Sequence, residues 1–209
     1  MNSNFKPNNA LTKRLHNKMT DFNEISKFFK TEFPLNQQGL AELFSLFTVQ
    51  KYKKGSILLQ AETVEKQLRF LNKGFIREYY SNEEKEININ FYVKSQFISD
   101  LLMFSQNSKT NKNQECLSSV EVLSIERQPF FELLEKYKCG KSFVETSFQK
   151  LLKEKGKQEF NRVTKTPEEL YKNLFIYKPE WLQSIPQYHI ASYLNITPET
   201  LSRIRKRTS

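Results

Sequence analysis

Ile185-Pro186-Gln187-Tyr188-His189-Ile190-Ala191-Ser192-Tyr193-Leu194-Asn195-Ile196-Thr197-Pro198-Glu199-Thr200-Leu201-Ser202-Arg203-Ile204-Arg205-Lys206 reads as two short helices joined by a tight turn. Thr197 is a good N-cap, Pro198 suits the first helical position, and Glu199 stands where the helix dipole favours a carboxylate. On a helical wheel Glu199, Ser202, Arg203 and Lys206 share one face, with Leu201 and Ile204 opposite. Ile190, Ala191 and Leu194 give the preceding helix an apolar face, and Asn195 falls in the turn, where a left-handed residue is needed and Asn tolerates it. A helix anchored by one side and offering Glu, Ser, Arg and Lys on the other suits the reading of base edges in a major groove. The plainer alternative is an ordinary helical hairpin on a basic protein.

Working outward, 209 residues suit two small domains or one large one. A hydrophobic content of 38% with 18 Phe and 9 Tyr supplies real cores, which excludes global disorder. The net charge of +10 favours a polyanionic partner, nucleic acid or an anionic membrane surface. No apolar run approaches the ~20 residues that span a bilayer, and no signal-peptide core opens the chain. A cytoplasmic protein without a membrane partner is expected. Cys116 and Cys139 are too few for a four-cysteine cluster or a zinc finger and are expected as reduced, buried thiols, with a redox pair as the alternative. No metal and no cofactor are expected. Residues 1–20 hold Lys6, Lys13, Arg14 and Lys18 in an Asn-rich, aperiodic setting and read as a flexible basic tail. A glycine-rich phosphate loop, a recognisable Cys/His pairing and a Gly-x-Ser-x-Gly elbow are all lacking, so the chain is not expected to be an enzyme.

Phe22, Ile25, Phe28, Phe29 and Phe33 have helical spacing up to Pro34, and a second short helix follows Asn36. After Lys54-Gly55 the pattern turns to strands over 57–59, 67–72 and 75–80, with Gly74 between the last two. Ile87, Ile89, Phe91 and Val93 alternate with Glu86, Asn88, Asn90 and Tyr92, which predicts a strand with one buried and one wet face. Ser105 to Gln114 reads as a polar loop and Leu117 to Ile125 as a last strand. Short strands at this spacing imply a small antiparallel sandwich or barrel. Phe130, Leu133, Leu134 and Tyr137 mark a helix stopping at Gly140, and a longer helix follows over about 141–161. Its seam of Val144, Phe148, Leu151 and Leu152 fits either a coiled-coil dimer interface or packing on the chain's own sheet. Thr166-Pro167-Glu168-Glu169 forms a capping box opening a further helix.

This order of helix, antiparallel roll, long helix and helical hairpin, together with Ile190 to Arg203, resembles the Crp/Fnr family of bacterial transcription regulators, the cyclic-AMP receptor protein type. Lys54-Gly55-Ser56-Ile57-Leu58 and Lys73-Gly74-Phe75-Ile76-Arg77 resemble the family's β-roll turns more loosely. The resemblance covers roughly residues 21–207. It implies an α+β fold: a β-roll effector domain like the cyclic-nucleotide-binding one over 21–140, a dimerisation helix over 141–163, and a helix-turn-helix domain over 164–209. It also implies a homodimer about the long helix, double-stranded DNA and RNA polymerase as partners, and a small-molecule effector. Carried over by position, Glu199 and Arg203 match the two main base-reading residues, with Ser202 beside them. A carboxylate accepts from cytosine N4 and a guanidinium bonds guanine O6 and N7, so the chemistry agrees. Gln187, Tyr188, Thr197 and Thr200 match phosphate contacts. Pro198 stands where some members place an Arg, which predicts a shorter readout. The sequence given ends at Ser209, so the β-hairpin wing of many members is expected to be missing, leaving Arg205, Lys206 and Arg207 for phosphates on that side.

Family members that bind cyclic AMP hold it with a Gly-Glu-Leu stretch and an Arg-Ser pair. Here these align with Ser99-Asp100-Leu101 and Thr110-Asn111. Asp100 could accept from a ribose hydroxyl, but no Arg occurs between Arg77 and Arg127, although Lys109 and Lys112 are close. No tight cyclic-AMP binding is expected. An iron–sulfur sensor lacks its cysteines, and a haem sensor would have only His16 in the tail or His189, read as a solvated helix residue. Alongside the regulator stands a second reading, a small-molecule-binding module whose output is protein contact.

Overall fold

The computed structural model describes residues 23–32, 35–139, 149–150, 153–154, 156–157 and 160–208. Two helices lead, α1 (Asn23–Glu32) and α2 (Gln37–Leu46). Asn36 starts the second by accepting the Gly39 amide at 2.8 Å, which satisfies one of the orphan donors of a helix start. Then follow β1 (Thr48–Tyr52), β2 (Ile57–Leu59), β3 (Gln67–Lys73), β4 (Ile76–Ser81), β5 (Glu86–Tyr92) and β6 (Gln96–Phe97). A short α3 (Leu101–Gln106) precedes β7 (Asn113–Cys116), β8 (Val120–Glu126) and α4 (Arg127–Lys136). The strands pair antiparallel in two sheets, ordered β1-β8-β3-β6 and β2-β7-β4-β5.

Strand alternation divides the core. Leu68 and Phe70 of β3, with Leu123 and Ile125 of β8, meet Phe29 of α1, Phe44 of α2 and Phe130 of α4. Their neighbours Leu71 and Val122 turn the other way and meet Ile76, Ile98 and Cys116 between the sheets. The antiparallel roll with flanking helices is therefore the observed fold class.

Several sequence expectations need correction. Ser105 to Gln114 is not one loop: α3 runs on to Gln106, and β7 begins at Asn113. Polar composition hid the strand, because Asn113 and Gln114 are buried but hydrogen-bonded to Ser81, Glu78 and the Ile98 carbonyl. The strand expected over Leu117 to Ile125 starts only at Val120, because residues 117–119 turn to meet Gly74. The Leu117 amide donates to the Phe75 carbonyl, and the Phe75 amide to Ser118 Oγ at 2.9 Å. Gly74 has φ +99, and a Cβ there would stand 2.4 Å from the Ser119 carbonyl oxygen. The helix α4 stops before Gly140: Lys138 turns left-handed at φ 53, and the Cys139 amide returns to the Leu134 carbonyl at 2.9 Å. β1 was missed in the sequence, since its exposed Thr48, Val49 and Lys51 give no apolar stripe.

Between 149 and 164 the described residues are helical, whereas Val144, Phe148, Leu151 and Leu152 lie outside the described residues. Four helices end the chain: α5 (Pro167–Tyr177), α6 (Pro179–Ser184), α7 (Gln187–Tyr193) and α8 (Pro198–Thr208). The capping box on Thr166 and Glu169 starts α5, and α6 is a further short helix that the sequence reading lacked. Tyr171, Leu174, Trp181, Ile190, Leu194, Leu201 and Ile204 form their core, which also takes in Phe91 of β5.

That last contact depends on one residue. Along the β4–β5 pair Glu78 faces Asn90, but Tyr79 faces Asn88, so Ile89 is skipped. The bulge flips the alternation. Asn88 and Phe91 now point together to the outer side, under the helical domain, while Asn90 and Tyr92 turn to the inside of the roll. The expected strand with one wet face is thus corrected: Asn88, Phe91 and Tyr92 are all buried.

Candidate functional site

The pair α7 and α8 is built as its sequence dictates. Asn195 is left-handed at φ 55, and the Ile196 amide donates back to the Ala191 carbonyl at 3.0 Å. Thr197 Oγ1 accepts the Thr200 amide at 3.2 Å, and its carbonyl accepts from Leu201. Leu201 and Ile204 are buried on Ile190, Ala191 and Leu194. Their burial leaves Glu199, Ser202, Arg203 and Lys206 exposed on the opposite side. Hydrogen bonds from its own backbone amide and from Thr197 lower the Glu199 carboxyl, and Arg203 adds to this, so Glu199 stays an acceptor at neutral pH.

The phosphate candidates differ in availability. Tyr188 at the start of α7 is exposed, Gln187 is half-buried, and the Thr200 hydroxyl lies 3.2 Å from that of Thr197. Arg205, Lys206 and Arg207 are exposed near the end of α8. Arg207 lies 3.6 Å from Glu168, which also holds Lys172 at 3.0 Å.

The back of α7 is pinned to β5. His189, expected as solvated, is buried there, because the bulged β5 presents Asn88 and Phe91 to it. Asn88 Nδ2 lies 3.2 Å from His189 Nδ1 and donates to the His189 carbonyl at 3.2 Å. The Asn88 amide donates to Ser192 Oγ at 3.1 Å, and that hydroxyl donates to the Glu86 carbonyl. Phe91 meets Trp181 edge-on at 5.0 Å, and Trp181 meets Tyr193 at 5.2 Å. Burial, with the nearby Arg77 guanidinium second, lowers His189 to about 4, so its ring is neutral at pH 7. Arg77 itself is bound to Glu115 at 2.8 Å and to Glu86 at 2.7 Å.

Inside the roll, the residues aligned with an effector pocket come together only in part. Asp100 and Thr110, ten residues apart, join through Thr110 Oγ1 donating to Asp100 Oδ2 at 3.0 Å. Ser99 serves the fold instead: its hydroxyl accepts the Arg69 amide at 2.6 Å and donates to the Gln67 carbonyl at 2.8 Å. Leu101 opens α3, and Asn111 is exposed at the rim of a second cavity of about 450 Å³. The main cavity, about 610 Å³, adds residues that sequence reasoning did not assign: Glu78, Tyr80, Tyr92 and Lys112 from the roll, and Arg162 and Tyr193 from the helical part.

Lys112 stands 3.0 Å from Asp100 and 3.6 Å from Glu78. Burial opposes the charge of Lys112, but the two carboxylates outweigh it and raise its pKa. Burial raises Glu78, against Lys112 and the Tyr92 hydroxyl, which donates to it at 3.1 Å. Glu78 shares the face of β4 that carries Ile76 and Tyr80, but Arg77 and Tyr79 on the other face are buried too, so burial along the strand does not single it out.

Residues 49–137 match the family model for a cyclic nucleotide-binding domain. Among solved structures the whole arrangement is similar to the c-di-GMP responsive global regulator CLP of Xanthomonas campestris, at 11% identity over 83% of this chain and 91% of that one, TM-score 0.62. It is also similar to FixK2 from Bradyrhizobium japonicum (14% identity, 77% and 83% covered, TM-score 0.61) and to a CooA mutant from Carboxydothermus hydrogenoformans (16%, 78% and 76%, 0.57). The chain has the Crp/Fnr fold. No curated protein matches it in sequence. At these identities the likeness to the solved structures is one of fold, and the resemblance read in the sequence is borne out at that level.

Within the cavity, the buried charges are already paired with one another. Among the described residues of its lining the deep cation is Lys112, already held by Asp100 and Glu78, so an anion would have to displace the first and approach the second. Arg162 does not replace the missing guanidinium, because it is exposed and stacks over the Tyr193 ring at 5.8 Å.

Proposed function

We propose that the chain is a sequence-specific DNA-binding transcription regulator, acting as a homodimer on a pseudo-palindromic operator and independent of cyclic AMP. A single observation carries the reading: α8 buries Leu201 and Ile204 and leaves Glu199, Ser202 and Arg203 together on its free face. A carboxylate and a guanidinium one turn apart can address a cytosine and a guanine in neighbouring positions. The exposed Tyr188, Arg205 and Lys206 supply cation and hydroxyl contacts to phosphate around them.

Selection of bound DNA from a random pool, followed by anisotropy titration at ~150 mM salt, tests this, since charge alone yields only nonspecific affinity. The expected product is an inverted repeat with half-sites about one helical turn apart. Equal affinity for selected and scrambled duplexes would sink it. A second reading, a sensor whose output is protein contact, is favoured by Phe175, Ile176 and Tyr177, exposed together at the end of α5. Retained ligand binding with no sequence preference on DNA would select it.

A further inference from the structure

We propose that the roll cavity takes a small protonated amine, its ammonium set toward Glu78 and Asp100 and its body against the rings of Tyr80, Tyr92 and Tyr193. The charge balance of the lining points this way. Among the described residues of the lining, Glu78, Asp100 and Glu154 face Lys112 and Arg162, and these carboxylates outnumber these cations by one. At the buried end the excess is sharper: among the described residues Lys112 is the cation shared by Asp100 and Glu78.

The hydrogen bonds tell the same story from a different side. Lys112, Thr110, Tyr92 and the Gln114 amide nitrogen all donate into the two carboxylates. Gln114 is fully buried, yet its Oε1 finds no donor among the described residues. A buried acceptor without a donor is costly, and this one belongs to a side chain bonded to Glu78, next to the cavity lining. An ammonium brings three donors and a positive charge at once.

The walls suit the rest of such a ligand. Tyr92 is buried with its hydroxyl on Glu78, while Tyr80 and Tyr193 present rings to a space of about 610 Å³, within the usual range for small-molecule sites. The cavity already accepts a cation on one of these rings, the Arg162 guanidinium over Tyr193. Tyr193 belongs to α7 and also packs on Trp181, so a ligand at this wall touches the helix that supports α8. The effect on DNA rests on the regulator reading. The binding itself does not.

Three probes that share a phenol ring and differ in charge test the proposal on the full chain without DNA: tyramine, 4-ethylphenol and 3-(4-hydroxyphenyl)propionate, by calorimetry and thermal shift. Tyramine should bind at least tenfold tighter than the propionate and raise Tm, with 4-ethylphenol between them. Glu78→Gln should erase the preference for the amine while leaving the circular dichroism unchanged. Equal or tighter binding of the propionate, or no binding of any of the three, overturns the proposal. If Glu78→Gln does not fold, the ranking of the probes on the unaltered protein still decides it. A regulator that reads DNA but ignores tyramine would remove this inference alone, and an amine binder without DNA specificity would remove only the regulator.

Discussion

Arg203 and Lys206 leave the same face of α8 with different chemistry. Arg203 lies in the middle of the helix beside Glu199, where a planar fork can pair two acceptors on one guanine, whereas Lys206 is a point charge nearer the helix end. Arg203→Ala should cost ~1–3 kcal/mol and relax specificity at one base position. Lys206→Ala should weaken all sequences alike and flatten the salt dependence by about one phosphate contact. Anisotropy titrations against the selected site and its single-base variants separate the two; identical losses from both would refute the division. Cys116, buried with its thiol pushed up to about 12 by burial, should resist alkylation in the folded protein and react only on unfolding, as measured by iodoacetamide labelling against denaturant.

At the scale of elements, turns rather than helices carry the strain. Gly74 closes the β3–β4 connection at φ +99 with a carbonyl oxygen where a side chain would start. Gly74→Ala must therefore either move the 117–119 turn or abandon the left-handed conformation, and either costs stability. A loss of roughly 2 kcal/mol or more is expected in urea unfolding; a loss below about 0.5 kcal/mol would show that the turn yields freely. Asn195 is a milder case, since Asn already tolerates φ 55. Asn195→Gly should be close to neutral, and Asn195→Val should destabilise the turn by ~1–2 kcal/mol, read from the thermal transition.

For the whole molecule, the seam between β5 and α7 links the roll to the helical pair α7 and α8. His189 sits in it neutral, with Asn88 on its ring and Arg77, Glu86 and Lys54 as the charges that act on it. Its pKa is lowered from 6.5 in the free side chain to about 4 in the docked state. The docked state therefore disfavours the proton: the contact has its full strength above pH ~6.5 and loses it as pH falls through about 4. A shift of that size is worth about 3 kcal/mol at full protonation. Trp181, the single tryptophan, lies against Phe91 in the same seam and reports on it. Its emission should move to longer wavelength between pH 6.5 and 4, earlier than global unfolding. His189→Gln should remove that early phase. An unchanged profile in the variant would exclude His189 as its source.

Much of this was legible in the chain itself. Thr197, Asn195, Leu201 and Ile204 prescribe the second helix of the hairpin and its free face by local rules, because capping, turn conformation and helical periodicity act over a few residues. Gly74 between two short strands announced a roll in the same way. The strand β7 and the buried His189 were not legible, since polar side chains reveal burial only when their partners are known. Those partners come from elsewhere: Asn113 finds Ser81, Gln114 finds Glu78, and His189 finds Asn88 across 101 residues. The deciding case is Ile89. Local sequence prescribed a strand over β5 and could not say that one residue is skipped against β4, because register is set by pairing across the sheet. That slip sends Asn88 and Phe91 outward to hold α7 and turns Tyr92 inward to Glu78. Sequence alone determined which face α8 leaves exposed; only the pairing of β4 with β5 decided how that helix is held to the roll, and what chemistry the cavity behind it contains.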